Sequence, residues 1–212
     1  MAEGNRARWR LAAALVVLSS LGLGCRSAPP RHAGNGAGLD EGPTRWLMLP
    51  EEARQYRRLQ NTREVVDFVE AFWRRRDPDP DKPGNEFAKI FYERVEAADR
   101  LYSEGGTRGS LTDRGRALVL LGSPPVLRYG QKKVPAWEPG RAGSPSAVQT
   151  RSLPLETWIY SLGDLPPALQ QLLRQDDPTP EIVLVFAAGP EKTGMIDGEK
   201  YLEMAARAAV RQ

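Results

Sequence analysis

Apolar and polar residues follow four successive styles along the chain. Residues 11–23 (LAAALVVLSSLGL) form an uncharged apolar run. Residues 26–43 (RSAPPRHAGNGAGLDEGP) show no apolar periodicity. Between residues 50 and 102 apolar positions recur at helical spacing. After residue 117 they come in short blocks separated by Gly, Pro and Ser.

The helical stretch divides into three. Pro50 opens a short helix, with Glu51 and Glu52 at its positive end and Arg57 and Arg58 in its last turn. Asn61 or Thr62 caps the next, and Glu64 is placed to answer Asn61. Val65, Val66, Val69, Phe72 and Trp73 share one face, and Asp77-Pro78 ends the helix. Asn85 caps a longer helix over residues 86–104. Its stripe is Phe87, Ile90, Phe91, Val95, Ala98, Leu101 and Tyr102, and Gly105-Gly106 stop it.

The later blocks predict strands at 117–121 (ALVLL), 157–162 (TWIYSL) and 181–187 (EIVLVFA). Residues 128–152 read as a long polar loop. A short helix is expected at 166–174, and a C-terminal helix from Asp197 or Gly198. Helices first and strands later predict an α+β fold: N-terminal helices packed on a small, largely antiparallel sheet, with a C-terminal helix.

Charge and cysteine use change the picture at the N-terminus. Arg6, Arg8 and Arg10 precede the apolar run, which has the length of a secretory signal core and falls short of the ~20 residues that span a bilayer. Gly24 and Cys25, the only cysteine, follow it. This is the layout of a bacterial lipoprotein signal, although Gly22 stands where the lipobox usually has leucine. The expectation is cleavage after residue 24 and lipidation of Cys25. Residues 1–24 are then the signal, 25–44 the lipidated cysteine and a flexible tether, and 45–212 a single domain. The tether has a root-mean-square reach of about 25 Å. Arg26 after the cysteine points to the outer membrane.

Removing residues 1–24 takes away three arginines and one glutamate, leaving 27 basic against 26 acidic residues. The basic pI therefore belongs mostly to the signal, and no electrostatic case for nucleic acid remains. His32, the only histidine, lies in the tether, so Ser-His-Asp and Cys-His chemistry are excluded from the domain. No cofactor fingerprint and no metal-ligand spacing occur. Asp77-Pro78-Asp79-Pro80-Asp81 begins like a calcium loop, but Lys82 and Ala88 occupy its sixth and twelfth positions.

One constellation is specific. Phe72-Trp73-Arg74-Arg75-Arg76-Asp77-Pro78 precedes Asn85-Glu86-Phe87 and Tyr92-Glu93-Arg94-Val95. Gly109-Ser110-Leu111-Thr112-Asp113-Arg114-Gly115-Arg116 follows, then Leu121-Gly122-Ser123-Pro124-Pro125 and Glu156-Thr157-Trp158-Ile159-Tyr160. This order over residues 49–161 resembles the GWxTD domain, a bacterial family of exported proteins. Gly109, Thr112 and Asp113 fit the name-giving motif, and Ser110 stands in place of its tryptophan. The resemblance implies a fold and supplies no activity. The motif residues singled out are Phe72, Trp73, Arg75, Arg76, Asp77, Gly109, Thr112, Asp113, Arg114, Gly115 and Trp158.

Thr112 and Asp113 are suited to bond local backbone amides, and Asp113 is expected to pair with Arg75 or Arg76. The chain therefore reads as a lipid-anchored envelope protein, non-catalytic, that binds a protein partner or serves as an assembly subunit. The 128–152 loop and the exposed helix faces are its expected contact surfaces. The alternative is an enzyme or binder acting on a cell-envelope polymer through carboxylates such as Asp113 and Glu156.

Overall fold

A computed structural model describes residues 38–138, 147–189 and 192–210. The expected signal, Cys25 and most of the tether lie outside the described residues. The architecture is α+β, as the pattern predicted. Among the described residues six α-helices accompany a four-stranded antiparallel sheet, with most helices before the sheet and one after it.

The first helices form where the capping residues say they should. Helix α1 (Pro50–Tyr56) starts at proline. Helix α2 (Thr62–Arg74) is capped by Asn61, whose side chain accepts from the Glu64 amide at 3.0 Å. Glu64 reaches back one residue further than expected, to the Gln60 amide. The face α2 buries is centred on Phe68 and Phe72, while Val66 points outward. Helix α3 (Glu86–Tyr102) is capped by Asn85, which also donates to the Trp73 carbonyl at 2.8 Å and so ties the start of α3 to the end of α2. Tyr56, Phe68, Phe72, Trp73, Phe91 and Tyr92 form a chain of ring contacts with centroids 5.1–6.4 Å apart.

Two expectations need correcting. The run 117–121 is not a strand; it is the second half of helix α4 (Asp113–Leu121). Thr112 caps this helix. The run is buried on every side, from Ala117 to Leu121. A short apolar run without periodicity cannot distinguish a buried strand from a buried helix, and alanine and leucine favour the helix.

Nor do 128–138 and 147–152 form a loop; residues 139–146 of the expected loop lie outside the described residues. Strands β1 (Val126–Glu138) and β2 (Ala147–Ser161) pair in register from Val126 opposite Ile159 to Glu138 opposite Ala147. The apolar alternation that marks a half-buried strand is missing, because residues 126–135 of β1 bury neither face. Residues 126–135 are exposed except for half-buried Val134.

Helix α5 (Pro167–Asp176) leads to β3 (Glu181–Gly189), which pairs with β2 over residues 155–161 only. Strand β4 (Lys192–Asp197), absent from the sequence reading, joins the other side of β3. The sheet is thus a meander in the order β1-β2-β3-β4. Helix α6 (Glu199–Ala208) packs against α4 and α5. The core lies where α4 and α6 meet the sheet. There Trp158, Ile182, Leu184 and Phe186 are fully buried.

Candidate functional site

The motif segment is an interlocked turn. Gly109 lies so close to α3 that a Cβ there would stand 1.9 Å from the Ala98 carbonyl oxygen. A Cβ on Gly115 would stand 1.7 Å from the Gly109 carbonyl oxygen. Backbone therefore touches backbone twice, from α3 through Gly109 to the first turn of α4, and only glycine fits. Thr112 Oγ1 accepts from the Gly115 amide at 3.1 Å and donates to the Gly109 carbonyl at 2.8 Å. Thr112 thus does what its residue type predicted.

Asp113 does not meet Arg75 or Arg76. It occupies the first turn of α4, a favourable place for a carboxylate, and Oδ2 accepts from the Met195 amide of β4 at 2.6 Å. The expectation failed because β4, its actual partner, was not foreseen. Ser110 is fully buried. Its amide donates to Asp99 at 2.8 Å, and its carbonyl accepts from the Trp46 indole at 2.9 Å. Burial pushes the Asp99 carboxyl up, but hydrogen bonds from Ser110 and Arg108 outweigh this and hold it below the usual range. The guanidinium groups of Arg45 and Arg116 both lie over the Trp46 ring, 4.0 and 4.8 Å from its centroid.

Arg75 and Arg76 are claimed by Glu52. Arg76 is fully buried; it donates to both Glu52 oxygens (3.1 and 2.6 Å) and to the Phe72 and Leu47 carbonyls, with its guanidinium 3.7 Å from the Phe72 ring centre. Arg75 adds two bonds to Glu52 Oε1. Burial raises the Glu52 carboxyl, but Arg76, the Leu49 amide and Arg75 together hold it below 4.5. Asp77 accepts from the Asp79 amide in a local turn. Trp73 stays in the aromatic chain already described.

Arg114, Trp158 and Glu156 converge at the sheet. Glu156 is buried, with Oε1 accepting from the Trp158 indole at 2.6 Å and Oε2 from Arg114 at 3.2 Å. The Tyr102 ring stands 5.8 Å from Trp158. Burial, then the Glu156 charge, push the Tyr102 hydroxyl pKa up, and Arg114 partly offsets them. Oε2 thus ties α4 to β2, and Oε1 is taken up within β2 itself. Among the described residues no group of acidic, histidine or cysteine side chains could hold a metal ion.

The turn, its two anchoring carboxylates and the strand that follows account for the motif as a scaffold. The family model for the GWxTD domain matches residues 42–148. The chain belongs to the GWxTD domain family. No curated protein and no solved structure matches the chain significantly.

Within the GWxTD domain the matched region runs from just before α1 to the first residues of β2. Sequence reasoning missed Glu52, Trp46 and Asp99, all of which hold the motif in place. Of these only Glu52 carried a signal, as the acidic residue three positions after Leu49 at the start of a proline-led helix.

What the domain leaves exposed is the hairpin. Past Leu155, β2 has no β3 partner, and residues 131–138 and 147–154 continue as a two-stranded ribbon. Eight residue pairs at about 3.3 Å per residue give it a length of roughly 26 Å. Arg128, Lys132 and Lys133 lie exposed on β1, and residues 126–135 carry no acid. Tyr129 is 75% exposed, and Val126 and Leu127 are each 42% exposed. Among the described residues the outer edge of β1 faces no other strand.

Proposed function

We propose that this protein is a non-catalytic envelope lipoprotein, anchored through Cys25, whose GWxTD domain presents the β1–β2 hairpin to a protein partner. The observation that carries the reading is the ribbon itself. A two-stranded ribbon whose one buried side chain among the described residues is Leu153 is marginal alone, and its open edge offers unpaired amides and carbonyls. Lysines along that edge discourage indiscriminate pairing and favour an acidic strand or surface. Carboxylate chemistry on an envelope polymer finds less support. Glu156 has both oxygens bonded inside the fold, and Asp113 fastens β4.

The test has two parts. Mass spectrometry of the native N-terminus should find residues 1–24 gone and Cys25 acylated; an intact N-terminus without acyl chains refutes the anchor. A photo-crosslinking residue at Tyr129, compared in intact cells with one at exposed Leu101 on α3, should capture a defined protein from the hairpin alone. Equal capture from both positions, or none from the hairpin, refutes the docking surface.

A further inference from the structure

A second surface feature is independent of the hairpin and of the lipid. Helices α3, α4, α5 and α6 enclose a cleft of about 190 Å³ with walls that include Leu47, Ile90, Val119, Leu169 and Ala208. A single water needs only about 10–15 Å³ of such space. Arg94 lines it too, half-buried.

Arg94 makes no salt bridge among the described residues. Its Nη1 donates to the Val119 and Leu120 carbonyls, both at 3.4 Å, which is long for a charged donor. Nε and Nη2 have no hydrogen-bond partner among the described residues. Gly122, with φ +86°, lies against this group; a Cβ there would come within 3.0 Å of Nη2. Burial lowers the Arg94 pKa, and a bound anion would relieve that cost.

We propose that this cleft binds an aliphatic carboxylic acid, with Arg94 holding the carboxylate and the apolar walls holding the tail. One guanidinium, partly offset by the last carbonyls of α4, suits a single negative charge better than a phosphate. Glu86, two turns earlier on α3 and also lining the cleft, further disfavours a polyanion. The tail accounts for the apolar walls, which a small inorganic anion would leave uncovered.

The full chain is titrated with sodium octanoate, 1-octanol and sodium acetate, following the methyl resonances of Ala205 and Ala208. Octanoate should saturate and bind at least about tenfold tighter than octanol or acetate, the factor expected of a charged hydrogen bond. Arg94→Gln should bring octanoate down to the level of octanol. Ile90→Glu, which tethers a carboxylate one turn before Arg94, should block octanoate with the protein still folded, whereas Ile90→Gln should retain part of the binding. Octanoate no tighter than octanol, or unaffected by both Arg94→Gln and Ile90→Glu, overturns the proposal. If Arg94→Gln unfolds the protein, the Ile90→Glu and Ile90→Gln pair decides.

Discussion

The Gly109–Gly115 turn and the β1–β2 ribbon are opposites physically, although one family match takes in the turn and all of β1. In the turn, side chains and backbone are committed inward: Gly109 against Ala98, Gly115 against Gly109, Asp113 to β4, Arg114 to Glu156. In the ribbon, ten successive residues of β1 commit almost nothing to the core. The most recognisable residues therefore build a scaffold, and the surface free to recognise something else is the part whose pattern looked like a loop. Motif density in this protein marks constraint by packing.

The contrast can be broken most sharply at Gly109. Gly109→Ala should cost about 4 kcal/mol or more, because its Cβ would collide with α3 backbone that cannot yield; loss of the folded transition in urea checks it. Next comes the buried pair. Arg76→Met should destabilise by about 3–5 kcal/mol, since it leaves Glu52 buried without its main partner; Glu52→Gln together with Arg76→Met should recover part of that loss. Denaturant midpoints of the single and double variants measure both.

The same pair sets a pH dependence. Glu52 is held below its ordinary 4.5, so the unfolded chain takes up the proton first as pH falls. Its stabilisation is complete above about pH 4.5 and is lost as pH drops through the folded value. Denaturant midpoints against pH should show this fall, and Glu52→Gln should flatten it.

Thr112→Ala removes the cap of α4 and should cost about 1–2 kcal/mol, read from the thermal midpoint. The smallest effect on stability belongs to the ribbon. Lys132→Ala with Lys133→Ala should stay within about 0.5 kcal/mol of the parent, while abolishing the crosslinks captured at Tyr129. A large stability loss from that double change would mean that the ribbon is packed after all, and the contrast between the two regions would disappear.

Local chemistry determined a good deal without any coordinates. Asn61 and Asn85 are capping residues whose hydrogen bonds reach only a few positions along the chain, so their helices could be placed from spacing alone. The α+β class followed from the order of periodic segments, and the GWxTD resemblance from a constellation spread over more than a hundred residues. Tertiary structure alone decided what depends on distant partners. The run 117–121 became a helix because α3, α6 and the sheet bury it on all sides. Residues 126–138 became a strand because β2 supplies hydrogen bonds that a polar, non-alternating sequence does not advertise. Asp113 went to Met195, 82 positions away, and Arg76 to Glu52 before it. Periodicity and capping report the nearest few residues. Burial and ion pairing depend on what the folded chain brings alongside.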